Sequence, residues 1–505
     1  MTGLLVALAG CSTPREAQTP APAAGTAAPV SHILPAAGAT THRYTAASYA
    51  AAADSVAMLP ADLATRWQAS NLPEHALSLI VAEVGQDPLI AIHPETPRNP
   101  ASTMKLVTTY AALEELGPGH TWRTELVTAP NALPRPDGTL PGPLYVRASG
   151  DPQLKTEDMW RMLHELRLRG VRTLPGIVVD RSVFGNVAIH PGAFDNSPDR
   201  VYNASPDALV IGYGAVRLLH VPDAARGAWN IITDPPLAGV RIDNQVRASR
   251  GACSGAPAVR TQQDAGATGV TIRVSGTVAL SCGEFSLHRL ALSQPEHAAG
   301  VMVQMWSTLG GSLLGPVTSG PAPVDGVALV SHESPPLSEL IRTVNKASNN
   351  VMARMMLLAL ATENGTPGTA QSGASALSQA LARQGLVFPE LVIENGSGLS
   401  RHEQISAGSM ASMLNTAWLS PRMPEFVSSL AIAGEDGTVR RRWRNGGATG
   451  MAHLKTGTLR DVSALAGYVQ GASGKRYVLV SLINDPKAYN SRAFNDAVVK
   501  WLSER

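Results

Sequence analysis

Lysine is scarce in this 505-residue chain: seven lysines stand against 34 arginines. Arginine does not deprotonate in proteins, so a lysine retained in so arginine-biased a sequence raises the question of whether a titratable amine is needed there. Charge as a whole is thin. Asp, Glu, Lys and Arg make up 16% of the residues and the net charge is +2, which argues against the basic surface of a nucleic-acid binder. No apolar run approaches the 18 residues that a membrane-spanning helix requires. Cysteine occurs three times, with no Cys-x-x-Cys, and the 13 histidines contain no His-Glu-x-x-His; no metal site and no cofactor are expected. What is present is enough to fold. With 44% hydrophobic residues the chain is not disordered as a whole, and its length predicts two or three domains.

The amino terminus reads MTGLLVALAGC, a short apolar stretch ending in Leu8-Ala9-Gly10-Cys11. Small residues before a cysteine resemble the lipobox of bacterial lipoproteins, which implies a signal peptide over 1–11 and a lipid on Cys11. Ser12, in place of Asp, implies the outer membrane. Residues 12–55 are rich in Ala and Pro and poor in large apolar side chains, the composition of a tether. The expected location is periplasmic, with a lipid anchor as the only membrane link. In an exported chain the pair Cys253 and Cys282 suggests a disulfide, the alternative being two buried thiols.

Periodicity divides the remainder. Residues 76–84 and 88–93 read as a hairpin, and 101–116 as a helix stopped by Gly117-Pro118. From 119 to 324 the texture is strand-rich with many glycines and prolines, interrupted by a helix near 156–169. From Val327 helical patterns return, over 337–346, 350–363, 374–384 and 406–418. The end reads strand, strand, strand, helix. The expectation is an α/β (α+β) domain made of 56–118 and 325–505, split by a β-rich insert over 119–324 with two subdomains.

Three short motifs carry chemistry. Ser102-Thr-Met-Lys105 opens the first helix, so the serine hydroxyl and the lysine amine share one helix face. A serine needs a base to become a nucleophile, and a lysine whose pKa is pushed down can be that base, whereas arginine cannot. Alone the motif is weak, since composition predicts roughly half a chance occurrence. Ser348-Asn349-Asn350 falls between two helical patterns, where a helix N-cap is the plain explanation. Lys455-Thr456-Gly457, followed by Thr458, lies on a strand pattern; a glycine there lets a substrate backbone approach closely. The conjunction is more specific than any member, because the order and the contexts agree and two of the seven lysines fall in the motifs.

This set resembles the active site of penicillin-binding proteins and serine β-lactamases. Ser348 lies 246 residues after Ser102, with the β-rich insert between them. An insert of that size and place resembles the class C penicillin-binding proteins, the D-alanyl-D-alanine carboxypeptidase/endopeptidase group that includes penicillin-binding protein 4. Ala148-Ser-Gly-Asp-Pro152, Asn395-Gly-Ser-Gly-Leu-Ser-Arg401 and Gly434-Glu-Asp-Gly-Thr438 agree with it. The resemblance implies a serine β-lactamase/transpeptidase-like fold acting on peptidoglycan stem peptides through an acyl-enzyme, with β-lactams as covalent inhibitors. It implies Ser102 as nucleophile, Lys105 as base, Ser348 as proton relay, Asn350 on the substrate amide, Lys455 and Thr456 on the terminal carboxylate, Gly457 and Thr458 as substrate-binding, and the N–H groups of Ser102 and Thr458 as oxyanion hole.

Two departures stand out. The family pattern has Asp where this chain has Asn395. Relatives also carry an acid near a Phe…Pro-Gly stretch that reads the free end of diaminopimelate; in the matching stretch, Phe184 to Gly192, no acid occurs until Asp195. Two other readings compete. A β-lactamase or esterase would use the same site, but no Glu-x-x-Leu-Asn lies between Ser348 and Lys455. A non-catalytic wall-binding scaffold would not need every catalytic side chain, and all are present.

Overall fold

A six-stranded antiparallel sheet is assembled from the two ends of the sequence. In the computed structural model, which describes Tyr44, 55–266, 269–363 and 365–505, its order is Ala431–Ile432, Ala452–Leu459, Val462–Gln470, Arg476–Asn484, Leu77–Glu83, Pro88–Ile92. Its strands are apolar almost throughout because both faces are covered. Ile80, Ala466, Tyr468 and Val480 point into a core shared with the Met104–Leu116, Leu337–Lys346 and Ala407–Leu419 helices. Leu79, Leu465 and Leu479 point into a second core closed by Trp67, Phe494 and Val498 of the Ala61–Ala69 and Arg492–Ser503 helices.

The sequence between the two halves of that sheet forms a five-stranded mixed sheet in the order Val317–Ser319, Ile177–Asp180, Leu144–Arg147, Arg123–Thr128, Val327–Glu333. Two three-stranded sheets and a two-stranded one accompany it. Cys253 and Cys282 are joined by a disulfide across 29 residues in this part of the chain.

The Asn350–Thr362 helix is buried around its whole circumference. The reason is its position between two cores. Met352, Met356 and Leu360 pack into the core of the large sheet, and Val351, Met355 and Leu358 pack into the core of residues 126–330. A helix that is hydrophobic all round needs apolar neighbours on every side.

The structure departs from the periodicity reading at several points. Val327–Glu333, where helical texture was expected to begin, is a strand antiparallel to Arg123–Thr128. The strand-rich stretch holds a 15-residue helix, Gln294–Thr308, announced by Ser293 and Glu296 in a capping box with Pro at its first turn. The 101–116 helix opens with a 3-10 turn, Ala101–Thr103, before the α-helix from Met104, and the helix expected from 374 begins at Ala370, capped by Thr369. Cys11, the signal stretch 1–11 and all of 12–55 except Tyr44 and Ser55 lie outside the described residues. Among the described residues no helix is long and apolar enough to cross a membrane.

Candidate active site

Asn99 shapes the turn that presents Ser102. Its Oδ1 accepts the Ala101 N–H at 2.9 Å, its Nδ2 donates to the Ser400 carbonyl at 2.8 Å, and its N–H donates to Asn484 Oδ1 at 2.8 Å. Asn484 Nδ2 donates back to the Asn99 carbonyl at 3.0 Å. The turn is thereby fixed both to a strand of the large sheet and to the 394–403 loop. Ala101 takes a left-handed φ of +45°, which costs a non-glycine residue on the order of 1–3 kcal/mol and persists only where the surroundings over-determine it.

One turn further on, Lys105 is completely buried. Its Nζ stands 3.0 Å from Ser102 Oγ and 2.6 Å from Asn350 Oδ1, and also donates to the Ser397 carbonyl. Burial pushes this amine well below the ordinary lysine range; the positive charges of Lys455 and Arg354 push the same way and Glu403 opposes them. The neutral amine suits these neighbours. Its two N–H groups serve the Asn350 and Ser397 oxygens, and its lone pair is left for the Ser102 hydroxyl proton.

Ser348 occupies the break between two helices with φ +58°. The N-cap of the following helix is Asn349, whose Oδ1 accepts the Met352 N–H at 3.1 Å, so the Ser348 hydroxyl is free to accept from Lys455 Nζ at 2.9 Å. Lys455 also donates to the Thr456 carbonyl at 2.9 Å, and burial lowers its pKa to about 7. Thr456 Oγ1 donates to Thr438 Oγ1 at 2.9 Å. Thr458 is exposed. The strand bearing these residues pairs with Val462–Gln470 along its length, but with Ala431–Ile432 only at Leu454 and His453. From Lys455 onward one edge has no strand partner among the described residues, a place where an extended peptide can add.

Gly457 sets how closely that strand lies against the serine turn: a Cβ there would come within 2.6 Å of the Pro100 carbonyl and 3.1 Å of Ala101 Cβ. Gly457→Ala should force the two apart at a cost of about 1–3 kcal/mol, and lower the rate of penicillin acylation along with the melting temperature. Wild-type values for both would show that the contact yields freely.

Some contacts at the site had no signature in the motifs. Asn350 Nδ2 donates to the Tyr202 carbonyl at 2.9 Å, so a loop of the 119–324 segment reaches the site. That loop is braced by Asp195, whose carboxylate accepts from Tyr202 Oη at 2.7 Å and Asn203 Nδ2 at 2.8 Å. The Ser397 carbonyl and the buried Glu403 were equally silent in the sequence, since a backbone oxygen and a lone acid eight residues past Asn395 match no pattern. Beside the site a cavity of about 410 Å³ runs between residues 186–194 and 394–402.

Comparison with known proteins gives a consistent picture. The sequence profile of the D-Ala-D-Ala carboxypeptidase 3 (S13) family matches residues 59–505. A D-alanyl-D-alanine carboxypeptidase from Actinomadura sp. (strain R39) is 31% identical over 422 residues, 80% of this chain and 77% of that protein. The D-alanyl-D-alanine carboxypeptidase DacB of Haemophilus influenzae is 28% identical over 424 residues, 82% of this chain and 86% of that protein. The crystal structure of penicillin binding protein 4 from Haemophilus influenzae superposes with a TM-score of 0.71 at 26% identity, covering 87% of this chain and 99% of that one.

Proposed function

This chain belongs to the D-Ala-D-Ala carboxypeptidase 3 (S13) family, and on that premise we propose that it carries out its hydrolysis through an acyl-enzyme on Ser102. Lys105 takes the Ser102 proton, and Oγ attacks the carbonyl carbon of the penultimate D-alanine. The N–H groups of Ser102 and Thr458 hold the resulting oxyanion, a contribution of about 3–4 kcal/mol where such donors have been removed. Lys455 and Thr456 hold the terminal carboxylate. Ser348, bonded to Lys455, passes its proton to the leaving amine while taking up the one that Lys105 received, so free D-alanine departs and Lys105 is neutral again. Asn350 keeps Lys105 in line through Oδ1, and its second N–H remains for the substrate amide. Water then attacks the ester, its proton going to the neutral Lys105, which passes it on to the departing Ser102 Oγ, and both groups are regenerated. The observation that carries this reading is the pairing of two buried lysines with two serines, Lys105 with Ser102 and Lys455 with Ser348.

We extend the proposal to cross-link cleavage, since a D-alanyl amide whose leaving amine bears a carboxylate meets the same groups. A β-lactam offers the same carboxylate and a strained amide; its amine stays tethered after ring opening, so the acyl-enzyme persists. The division of the chain follows the same reading, with 56–118 and 325–505 as the catalytic part, 119–324 as the insertion, and the Val327–Glu333 strand at the seam. A lipid on Cys11 and a tether over 12–55 would hold the enzyme in the periplasm within reach of the wall.

Digesting purified sacculi with the protein, with and without penicillin, and weighing the fragments tests this. Loss of terminal D-alanine and of cross-linked dimers, both stopped by penicillin, is expected. Unchanged fragments in both arms would overturn the proposal, and rapid nitrocefin turnover without a lasting acyl-enzyme would favour a β-lactamase.

A further inference from the structure

The loop following Asn395 is folded around a carboxylate that does not come from the usual place. Where the family pattern has Asp, this chain has Asn395, whose carboxamide is used locally: Oδ1 accepts the Ser397 N–H at 2.9 Å and its Oγ–H at 2.5 Å, and Nδ2 donates to the Leu399 carbonyl at 3.1 Å. The negative charge is supplied by Glu403, which is completely buried. Its Oε1 accepts the N–H groups of Glu394, Asn395 and Gly396 at 3.2, 2.8 and 2.7 Å, and its Oε2 accepts that of Gly398 at 2.8 Å. Gly396 and Gly398 have φ of +70° and +78°, the backbone form that turns successive amides toward one anion.

With the amides turned to Glu403, two carbonyls of the loop face the Met104–Leu116 helix. The Gly396 carbonyl accepts from Thr108 Oγ1 at 2.7 Å, and the Ser397 carbonyl accepts from Lys105 Nζ. The four groups bonded to Glu403 are donors, so a proton on it would have no acceptor among them; the arrangement fits the ionised form. Burial is the larger influence and raises the Glu403 carboxyl above the ordinary glutamate range, with the four amides opposing it; it is the four donors alone that favour the ionised form.

We propose that Glu403 is a positioning residue for Lys105: it holds the Ser397 carbonyl against the amine and supplies the loop with the buried negative charge that Asn395 lacks. The proposal rests on Lys105 being the base for Ser102. The charged groups around it are the cations Lys455 and Arg354 on the Lys105 side, with Glu394 joining Glu403 beside Arg354.

The test uses Glu403→Gln, Asn395→Asp and the double variant, each read as the second-order rate of acylation by a fluorescent penicillin across pH, with Ser102→Ala as control. Glu403→Gln should lower the maximal rate on the order of a hundredfold through misplacement of the amine. Its acid limb should move to lower pH, because the anion that favours protonated Lys105 is gone. The double variant, with the acid returned to position 395, should regain about tenfold or more of that rate. A purely structural role would leave the acid limb in place and give no rescue; either result overturns the proposal. If Glu403→Gln does not fold, a folded and active double variant counts as rescue. If neither folds, Asn395→Asp alone decides: a second carboxylate beside Glu403 should move the acid limb to higher pH, and an unmoved limb overturns the proposal. Acylation of Ser102→Ala at the wild-type rate would instead sink the underlying mechanism, whatever Glu403 does.

Discussion

Ser102→Ala should abolish both covalent labelling by fluorescent penicillin and release of D-alanine from a stem-peptide substrate. Loss of a nucleophile that acts in concert with its base costs on the order of 10⁶ in kcat in a serine hydrolase, which brings the variant to background. The fold should hardly notice. Ser102 is only half-buried and its hydroxyl bonds to Lys105 Nζ at 3.0 Å; removing one such bond costs about 1 kcal/mol, a shift of roughly 2–4 °C in melting temperature for a domain of 150–250 residues. Inactivity with preserved melting would place the chemistry at this hydroxyl. Labelling at the wild-type rate would exclude it.

Lys105 gives the second large effect. Lys105→Met keeps the length of the side chain and removes the base, so acylation should fall roughly 10²–10⁴-fold, the usual contribution of a positioned base. Asn350 Oδ1 and the Ser397 carbonyl lose a donor, at about 1–3 kcal/mol for each group left unpaired. Lys105→Arg is the harsher change, because a planar guanidinium must enter a site with no exposed surface and overpacking costs about 1–3 kcal/mol more. It would also be inactive, since arginine stays protonated. The wild-type pH profile carries the same assignment. Acylation should rise with pH through the depressed Lys105 pKa, as the free amine appears. It should fall again as Lys455 loses its proton, at about 7 in the unliganded enzyme. A bound carboxylate favours the ammonium of Lys455, so the alkaline limb of kcat should lie at higher pH than that of kcat/KM. A Lys105→Met variant that acylates at the wild-type rate, or a profile without an acid limb, would remove Lys105 from the role of base.

The motifs were legible because each combines a rare residue type with a local signal. Lys105 and Lys455 stand out against the arginine background, and their contexts, a helix start after Pro100 and an apolar strand, can be read from periodicity. The helices at 337–346 and 350–362 and the three closing strands were visible for the same reason, as long apolar patterns with clear stops. The 119–324 region was harder. Several of its strands, Val240–Ser249 among them, are half-exposed along their length, so alternation is weak, and the Gln294–Thr308 helix was masked by strand-like neighbours although its capping box was in plain sequence. Glu403 and Tyr202 illustrate the remaining limit. One acts through four backbone amides and the other through its own carbonyl, and neither use depends on a recognisable string of residues.

The double-sided Asn350–Thr362 helix bears on whether a shorter enzyme can be cut from this one. Excising 119–324 would strip Val351, Met355 and Leu358 of their apolar neighbours, and would take away the Tyr202 and Ala204 carbonyls that accept from Asn350 Nδ2 and the Arg354 guanidinium. The remnant would present a greasy helix flank to water next to the Asn350 carboxamide. Truncation should therefore yield an aggregating protein, not a smaller carboxypeptidase.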